Sequence, residues 1–204
     1  IRRPKPDDFQ IKQAMEKIKK SKKPIIISGG GVFYSDAMDE LGSFAIKHNI
    51  PVTQTVMGYS TMKRDHSHFL GPIGGLGGKA ANNLAKETDL AICVGTKLAD
   101  FTTGSWANFE NPEFKLVSIN IARHDANKHL AEAVIGDAKV CLSELSNSLG
   151  NWKSPDSWYK KSQDELKSWN EYVDKESGPT NQETPNYAHA VGAIYRNSDP
   201  TDIA

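Results

Sequence analysis

The run Asp100-Phe101-Thr102-Thr103-Gly104-Ser105-Trp106 gathers one carboxylate, three hydroxyls, two aromatic rings and a glycine into a single short stretch. Asp100, Thr102, Thr103 and Ser105 can exchange hydrogen bonds with a hydroxyl-rich ligand, and Phe101 and Trp106 can wall such a ligand from water. The run is preceded by Gly95-Thr96-Lys97 and by the apolar stretch Leu90-Ala91-Ile92-Cys93-Val94. A buried strand that ends at a glycine opens its loop at the carboxyl edge of an α/β sheet, where ligands collect.

Two further glycine clusters have the backbone freedom to approach a ligand. Gly29-Gly30-Gly31 follows Ile25-Ile26-Ile27-Ser28 but lacks the spaced Gly-x-Gly-x-x-Gly of a dinucleotide fingerprint, and bulky Val32-Phe33-Tyr34 comes next. A tight strand-to-helix turn without any ligand accounts for it equally well. The passage Gly71-Pro72-Ile73-Gly74-Gly75-Leu76-Gly77-Gly78, with Lys79 beside it, could cradle an anion at a helix start. The histidines form no metal set. His66-x-His68 needs a third ligand from elsewhere, and His124-Asp125 with His129 has no ligand spacing, so all are expected on surface loops. Ser28 and Ser35 lie outside any Gly-x-Ser-x-Gly elbow, and no phosphate loop of the Gly-x-x-x-x-Gly-Lys-Ser/Thr type is present. The residues alone therefore describe a ligand-capable scaffold without a catalytic constellation.

Strands and helices must alternate to position these loops. Asp7 or Asp8 caps a helix with Phe9, Ile11, Ala14, Met15 and Ile18 inward, ending near Lys23-Pro24. Then come the strand at Ile25, a helix from about Ser35 to His48, a short strand over Pro51–Thr55 and the passage opened by Phe69-Leu70-Gly71. A helix with Ala80, Ala81, Leu84 and Ala85 leads to strands at Asp89–Val94, Leu116–Ile121 and Ala133–Ile135. Asp137 opens a helix to Leu149 with Val140, Leu142 and Leu145 inward. This alternation predicts an α/β fold, a Rossmann-like six-stranded parallel sheet in the order 3-2-1-4-5-6 with helices on both faces. Beyond Asn151 the residues turn polar around one aromatic helical face, Trp158, Tyr159, Leu166, Trp169 and Val173, which needs a surface to cover. Ser177-Gly178-Pro179 ends it, a further helix spans Tyr187 to Asn197, and the apolar step at Asp202-Ile203-Ala204 reads as the threshold of another strand, hence a cut domain.

The 204 residues carry 25 basic and 25 acidic side chains, a formal charge of zero, so no global field for nucleic acid or an anionic membrane is present. Lys17, Lys19, Lys20, Lys22 and Lys23 are the one basic cluster and complement the negative end of the first helix. With no apolar run of membrane length and no signal-peptide layout, the chain is expected in the cytoplasm. Cys93 and Cys141, far apart, read as small buried hydrophobes.

Taken in order, several of these stretches resemble the middle domain of thiamine diphosphate (ThDP)-dependent enzymes. They are Lys23-Pro24 with its strand and Gly29–Gly31, Ile50-Pro51-Val52, Leu70-Gly71 with its glycine-rich loop, Asp89 to Trp106, Leu116 to Ile121, and Ile135-Gly136-Asp137-Ala138. Within that family, Asp100–Trp106 is similar to the branch of hydrolases that opens a cyclic 1,2-dione in inositol catabolism. The resemblance implies a middle domain over residues 1–150, a helical linker over 151–183 and the start of a diphosphate-binding domain over 184–204.

It also implies chemistry located elsewhere. In the family, a glutamate of the pyrimidine domain activates the thiazolium of ThDP and a Gly-Asp-Gly motif of the third domain holds Mg2+ and the diphosphate; neither motif is found in this sequence. The chain alone is thus expected to be inert, with partners in other domains of the same polypeptide and in a homo-oligomer. The middle domains of some members bind FAD or ADP through turns corresponding here to Gly29, Gly30 and Gly31, to Gly74 and Gly75, to Gly95, Thr96 and Lys97, and to Asn120 and Ile121. Lys97 replaces the family's arginine and Asn120-Ile121-Ala122 its Asp-Ile-Asp. Lysine lacks the bidentate fork of arginine and Ala122 lacks an acceptor, so the resemblance argues against FAD or ADP. Acetolactate synthase-like and decarboxylase middle domains would favour the arginine and the aspartates. A nucleotide-binding or NAD-dependent deacylase-like domain would carry a catalytic histidine in a glycine-rich setting and often zinc cysteines, both missing.

Overall fold

The computed structural model describes residues 2–199. Six strands form one all-parallel sheet: β1 (Pro24–Ser28), β2 (Val52–Gln54), β3 (Phe69–Pro72), β4 (Leu90–Val94), β5 (Lys115–Asn120) and β6 (Glu132–Ile135), in the order β3-β2-β1-β4-β5-β6. Every residue of β1 and of β4 is buried, which is why these strands read as unbroken apolar runs rather than alternating ones. Ile26 is in register with Val52 on one side and Ile92 on the other.

Nine α-helices are formed among the described residues: α1 (Asp8–Lys20), α2 (Gly30–Tyr34), α3 (Met38–His48), α4 (Lys79–Glu87), α5 (Asp100–Thr103), α6 (Arg123–Ala126), α7 (Ala138–Leu149), α8 (Asp156–Glu176) and α9 (Tyr187–Asn197). Alternate residues of the strands feed two cores. Ile26, Ile92, Val94, Val117 and Ile119 meet Ile18 of α1, Phe44 of α3 and Leu145 of α7 on one face. Ile25, Ile27, Ala91 and Cys93 meet Leu84 of α4 and Trp158 of α8 on the other. Cys93 and Cys141 are both buried; desolvation raises the Cys93 thiol and pushes that of Cys141 up to about 12, so neither is a nucleophile at neutral pH.

Asp137 starts α7 by accepting from the Lys139 and Val140 amides, and it pairs with Arg3 at 2.9 Å, tying the N-terminal arm to the end of the sheet. Asp7 caps α1 through the Phe9 amide, yet Phe9 itself is 67% exposed: the inward face of α1 is Ile11, Ala14 and Ile18. The helix expected over Ser35–His48 is α3, which starts at Met38, and a separate short helix, α2, precedes it. α2 begins directly at Gly30, and the chain breaks at Asp36, whose φ of 50° no helix accommodates, before α3 starts. α1 ends at Lys20, and the Asp89 carboxylate gathers Ser21, Lys22 and Lys23 behind it.

The surface covered by α8 is this same domain. Trp158 is buried and donates its indole N–H to Pro24 O at 2.8 Å, Glu165 accepts from Asn83 at 2.9 Å, and Lys161 pairs with Glu87. Lys161, and after it Lys23, holds the Glu87 carboxyl below the usual carboxylate range. Val191 and Ile194 of α9 are mostly exposed. The strand expected after Asp199-Pro200 lies outside the described residues.

Candidate functional site

Past their last paired residues, the strands continue into turns that hydrogen-bond to one another along the carboxyl edge. Ile73 N donates to Gln54 O, Thr55 N to Ser28 O, Gly29 N to Val94 O, Gly95 N to Ile119 O and Gly136 N to Asn120 O, all between 2.8 and 3.2 Å. All the candidate residues lie on this edge, in two clusters.

The first joins the turns after β1, β4 and β5. Gly31 N donates to Gly95 O at 3.0 Å, and a Cβ built on Gly31 would stand 2.6 Å from Gly95 Cα. Gly95 itself has a φ of 63°. Glycine is required here because backbone meets backbone, so no ligand is needed to explain the cluster. Gly30 faces the Met57 carbonyl in the same way. The Asn120 amide donates to Thr96 O at 3.2 Å while its Oδ1 accepts from the Ala122 amide at 2.9 Å. Lys97 is exposed, and Ile121 is 62% exposed. Lys97 and His124 are secondary contributors to the field at Asp125, whose carboxyl is lowered chiefly by its 2.6 Å hydrogen bond from Lys128.

The second cluster joins the glycine-rich passage to the run after β4. Gly75 N donates to Phe101 O at 2.9 Å, and a Cβ on Gly74 would stand 2.3 Å from that same oxygen. Asn82 of α4 clamps Gly74 from both sides, accepting from its amide at 2.9 Å and donating to its carbonyl at 3.0 Å, and Asn108 donates to Asn82 at 3.3 Å. Asn82 was not singled out from the sequence; its one signal was a polar pair, Asn82-Asn83, between the apolar residues Ala80-Ala81 and Leu84-Ala85.

The segment expected as a loop opens with the single turn α5. Gly104, Ser105 and Trp106 then all take positive φ (58°, 52° and 71°), and Leu98 before α5 does too (49°). Consecutive left-handed residues of this kind are strained and persist where surrounding contacts hold them. Asp100, Phe101 and Ser105 are exposed, with Thr102 and Gly104 half-buried. Thr103 is buried, and its hydroxyl lies 3.4 Å from the Asp100 carbonyl and 3.3 Å from the Trp106 amide. Trp106 is half-buried, its ring 4.5 Å from that of His129 and 5.7 Å from that of Phe109.

The histidines are not all on the surface. His124 and His129 are exposed and His66 is half-buried, but His68 is 6% exposed, stacked at 4.4 Å on Tyr159 of α8. Burial, and then the neighbouring His66, lower its pKa to about 4. The reason is the packing of α8 over the start of β3.

A family model described as thiamine pyrophosphate enzyme, central domain, matches residues 11–145. The chain belongs to that family. The matched span runs from within α1 to within α7 and so contains the whole sheet with both turn clusters. Several relatives carry the name 3D-(3,5/4)-trihydroxycyclohexane-1,2-dione hydrolase. That of Clostridium perfringens (strain 13 / Type A) is 46% identical over 149 residues, covering 73% of this chain and 23% of the relative. That of Clostridium botulinum (strain Eklund 17B / Type B) is 41% identical over 175 residues, 86% of this chain and 27% of the relative. That of Bacillus cereus (strain AH820) is 44% identical over 149 residues, again 73% of this chain and 23% of the relative. The chain spans about a quarter of the length of these curated relatives. Among the described residues, no three His, Cys, Asp or Glu side chains stand together as a metal site. Nor is any helix among them long and apolar enough to cross a membrane.

Proposed function

We propose that this chain is the middle domain of a ThDP-dependent trihydroxycyclohexane-1,2-dione hydrolase, an enzyme that cleaves a carbon–carbon bond of a cyclic diketone with water in inositol catabolism. The observation that carries this reading is the 41–46% identity to relatives of that name over 149–175 residues. ThDP and Mg2+ belong to other domains of the polypeptide in this reading, which makes the chain inert alone and the parent a cytoplasmic homo-oligomer. The role of the domain is to present its carboxyl edge to those domains. Support for this comes from the exposed apolar side chains along that edge: Phe33, Tyr34, Met57, Leu76, Phe101 and Ile121 are each more than half exposed.

At that edge, Asp100, Thr102 and Ser105 supply hydrogen bonds to a hydroxylated ring and Phe101 covers its face. Thr103 and Trp106 position the turn, one through its hydroxyl and the other through its packing on His129 and Phe109. FAD and ADP have no part, because the Asn120 side chain is already engaged by Thr96 O and the Ala122 amide and Lys97 offers a point charge in place of a fork.

The test is alanine at Asp100 and at Phe101 in the full-length hydrolase. Turnover of the cyclic dione should fall at least tenfold, about 1.4 kcal/mol of transition-state stabilisation, with the melting temperature kept. Unchanged kinetics in both variants would leave the run as scaffold. For the chain alone, calorimetry with ThDP and Mg2+ should give no saturable heat, and FAD or ADP should not raise the melting temperature. A nucleotide held at 100 times its dissociation constant would contribute about 2.7 kcal/mol and be readily seen.

A further inference from the structure

The peptide unit between Gly74 and Gly75 is held from both of its sides. Asn82 Nδ2 donates to the Gly74 carbonyl at 3.0 Å, and the Gly75 amide donates to Phe101 O at 2.9 Å. In a planar trans peptide the C=O and the next N–H point in opposite directions, so a side chain that fixes the carbonyl also aims the amide. Asn82 Oδ1 accepts from the Gly74 amide at 2.9 Å, which fixes the preceding peptide unit as well. The same oxygen accepts from the side-chain amide of Asn108 at 3.3 Å, just past the end of the Asp100–Trp106 run. One side chain thus ties the glycine-rich passage to both ends of that run, and its own root is rigid, because Ala80, Ala81, Leu84 and Ala85 of α4 are buried around it.

The run has no comparable tie elsewhere. Thr102 N and Thr103 N donate to Ala99 O and Ser105 N to Asp100 O, all within the turn itself. Among the described residues, the Gly75 amide is the one hydrogen-bond donor that reaches residues 99–106 from another part of the domain. Asp100 and Phe101 are exposed, so little packing replaces it at that end of the run.

We propose that Asn82 is a positioning residue for the Asp100–Trp106 run: through the Gly74–Gly75 peptide it sets where the Asp100 carboxylate and the Phe101 ring stand when a hydroxylated ring meets them. This rests on the reading of that run as a substrate contact. A side chain that only satisfied the Gly74 backbone would govern stability alone. One that aims the run also governs turnover, and does so through Asp100 and Phe101.

Three variants of the full-length hydrolase test it: Asn82→Ala, Asp100→Ala/Phe101→Ala, and all three changes together. Asn82→Ala should lower kcat/KM for the cyclic dione by about tenfold or more. In the background already lacking both side chains it should cost no more than about a further twofold, because residues that act through one another are not additive. Wild-type kcat/KM in folded Asn82→Ala, or the full loss repeated in that background, overturns the proposal while the substrate contact stands. Wild-type kinetics of Asp100→Ala/Phe101→Ala would remove the substrate contact itself, and the proposal with it. Residue-resolved hydrogen exchange of the 204-residue chain gives a readout apart from activity. The Gly75 amide should exchange about tenfold faster or more in Asn82→Ala, and unchanged protection there overturns the link from Asn82 to Phe101. If Asn82→Ala fails to fold, Asn82→Asp, which keeps the acceptor and loses the donor to Gly74 O, carries the same comparisons.

Discussion

A Cβ placed on Gly29 would stand 2.4 Å from the carbonyl oxygen of Gly95 and 2.6 Å from Thr96 Cβ, whereas one placed on Gly75 meets nothing closer than 3.7 Å. Gly29 has an extended backbone that any residue can adopt, so only the close approach requires glycine there. Gly29→Ala should therefore destabilise the domain by about 1–3 kcal/mol, the usual cost of overpacking, and Gly75→Ala by no more than about 0.5 kcal/mol. Urea unfolding of the two variants checks the contrast. His68 makes a second prediction. The unfolded imidazole takes up its proton near about pH 6.5, the folded one only near about 4, because burial and His66 oppose its charge. Unfolding thus binds a proton between those values, and stability is full above the higher pH and lost as pH falls toward the lower. His48, lowered by burial between α3 and Trp152, acts in the same direction. The urea midpoint should drop from about pH 7 to about pH 5, and His68→Phe should shrink that drop; an unchanged difference would exclude His68 as its source.

Among the elements, α8 depends most on one contact, the Trp158 indole on Pro24 O. Trp158→Phe keeps most of the ring and removes the donor, so a loss of about 1–3 kcal/mol is expected from the carbonyl left buried. Chemical denaturation measures it, and a neutral effect would mean that packing alone seats the helix. The central strands were legible in the sequence because both their faces are covered, which makes Ile25–Ile27 and Leu90–Val94 continuous apolar runs. The short helix α2 was not legible, since Gly29–Gly31 followed by bulky Val32-Phe33-Tyr34 reads as a turn and five residues are too few to show a helical period. The aromatic stripe of α8 was visible, but periodicity states that a face is buried and not against what. The same limit held at the edge of the sheet. Spacing marked the glycines as turns, yet whether Gly31 approaches a ligand or Gly95 is decided by neighbouring strands remote in sequence.

For the whole molecule, protection should follow the two cores. Amides of β1 and β4, flanked by strands on both sides and buried on both faces, should exchange slowest, near the global unfolding free energy, and those of α9, with only Gly192 buried, fastest. Hydrogen exchange followed by mass spectrometry reads this directly, and protection of α9 equal to that of β4 would contradict it.

The strand order also carries a consequence for biosynthesis. Within this domain β1 is made well before β4, yet one of its edges waits for β4, Ile26 for Ile92, until β2, β3 and the three connections between have been made. During that interval a largely apolar strand, buried on both faces in the finished fold, offers an unpaired edge, the condition under which nascent chains associate with one another or engage chaperones. Slower translation across residues 55–90 would lengthen that exposure, and synonymous codon changes there should alter soluble yield without altering the folded product.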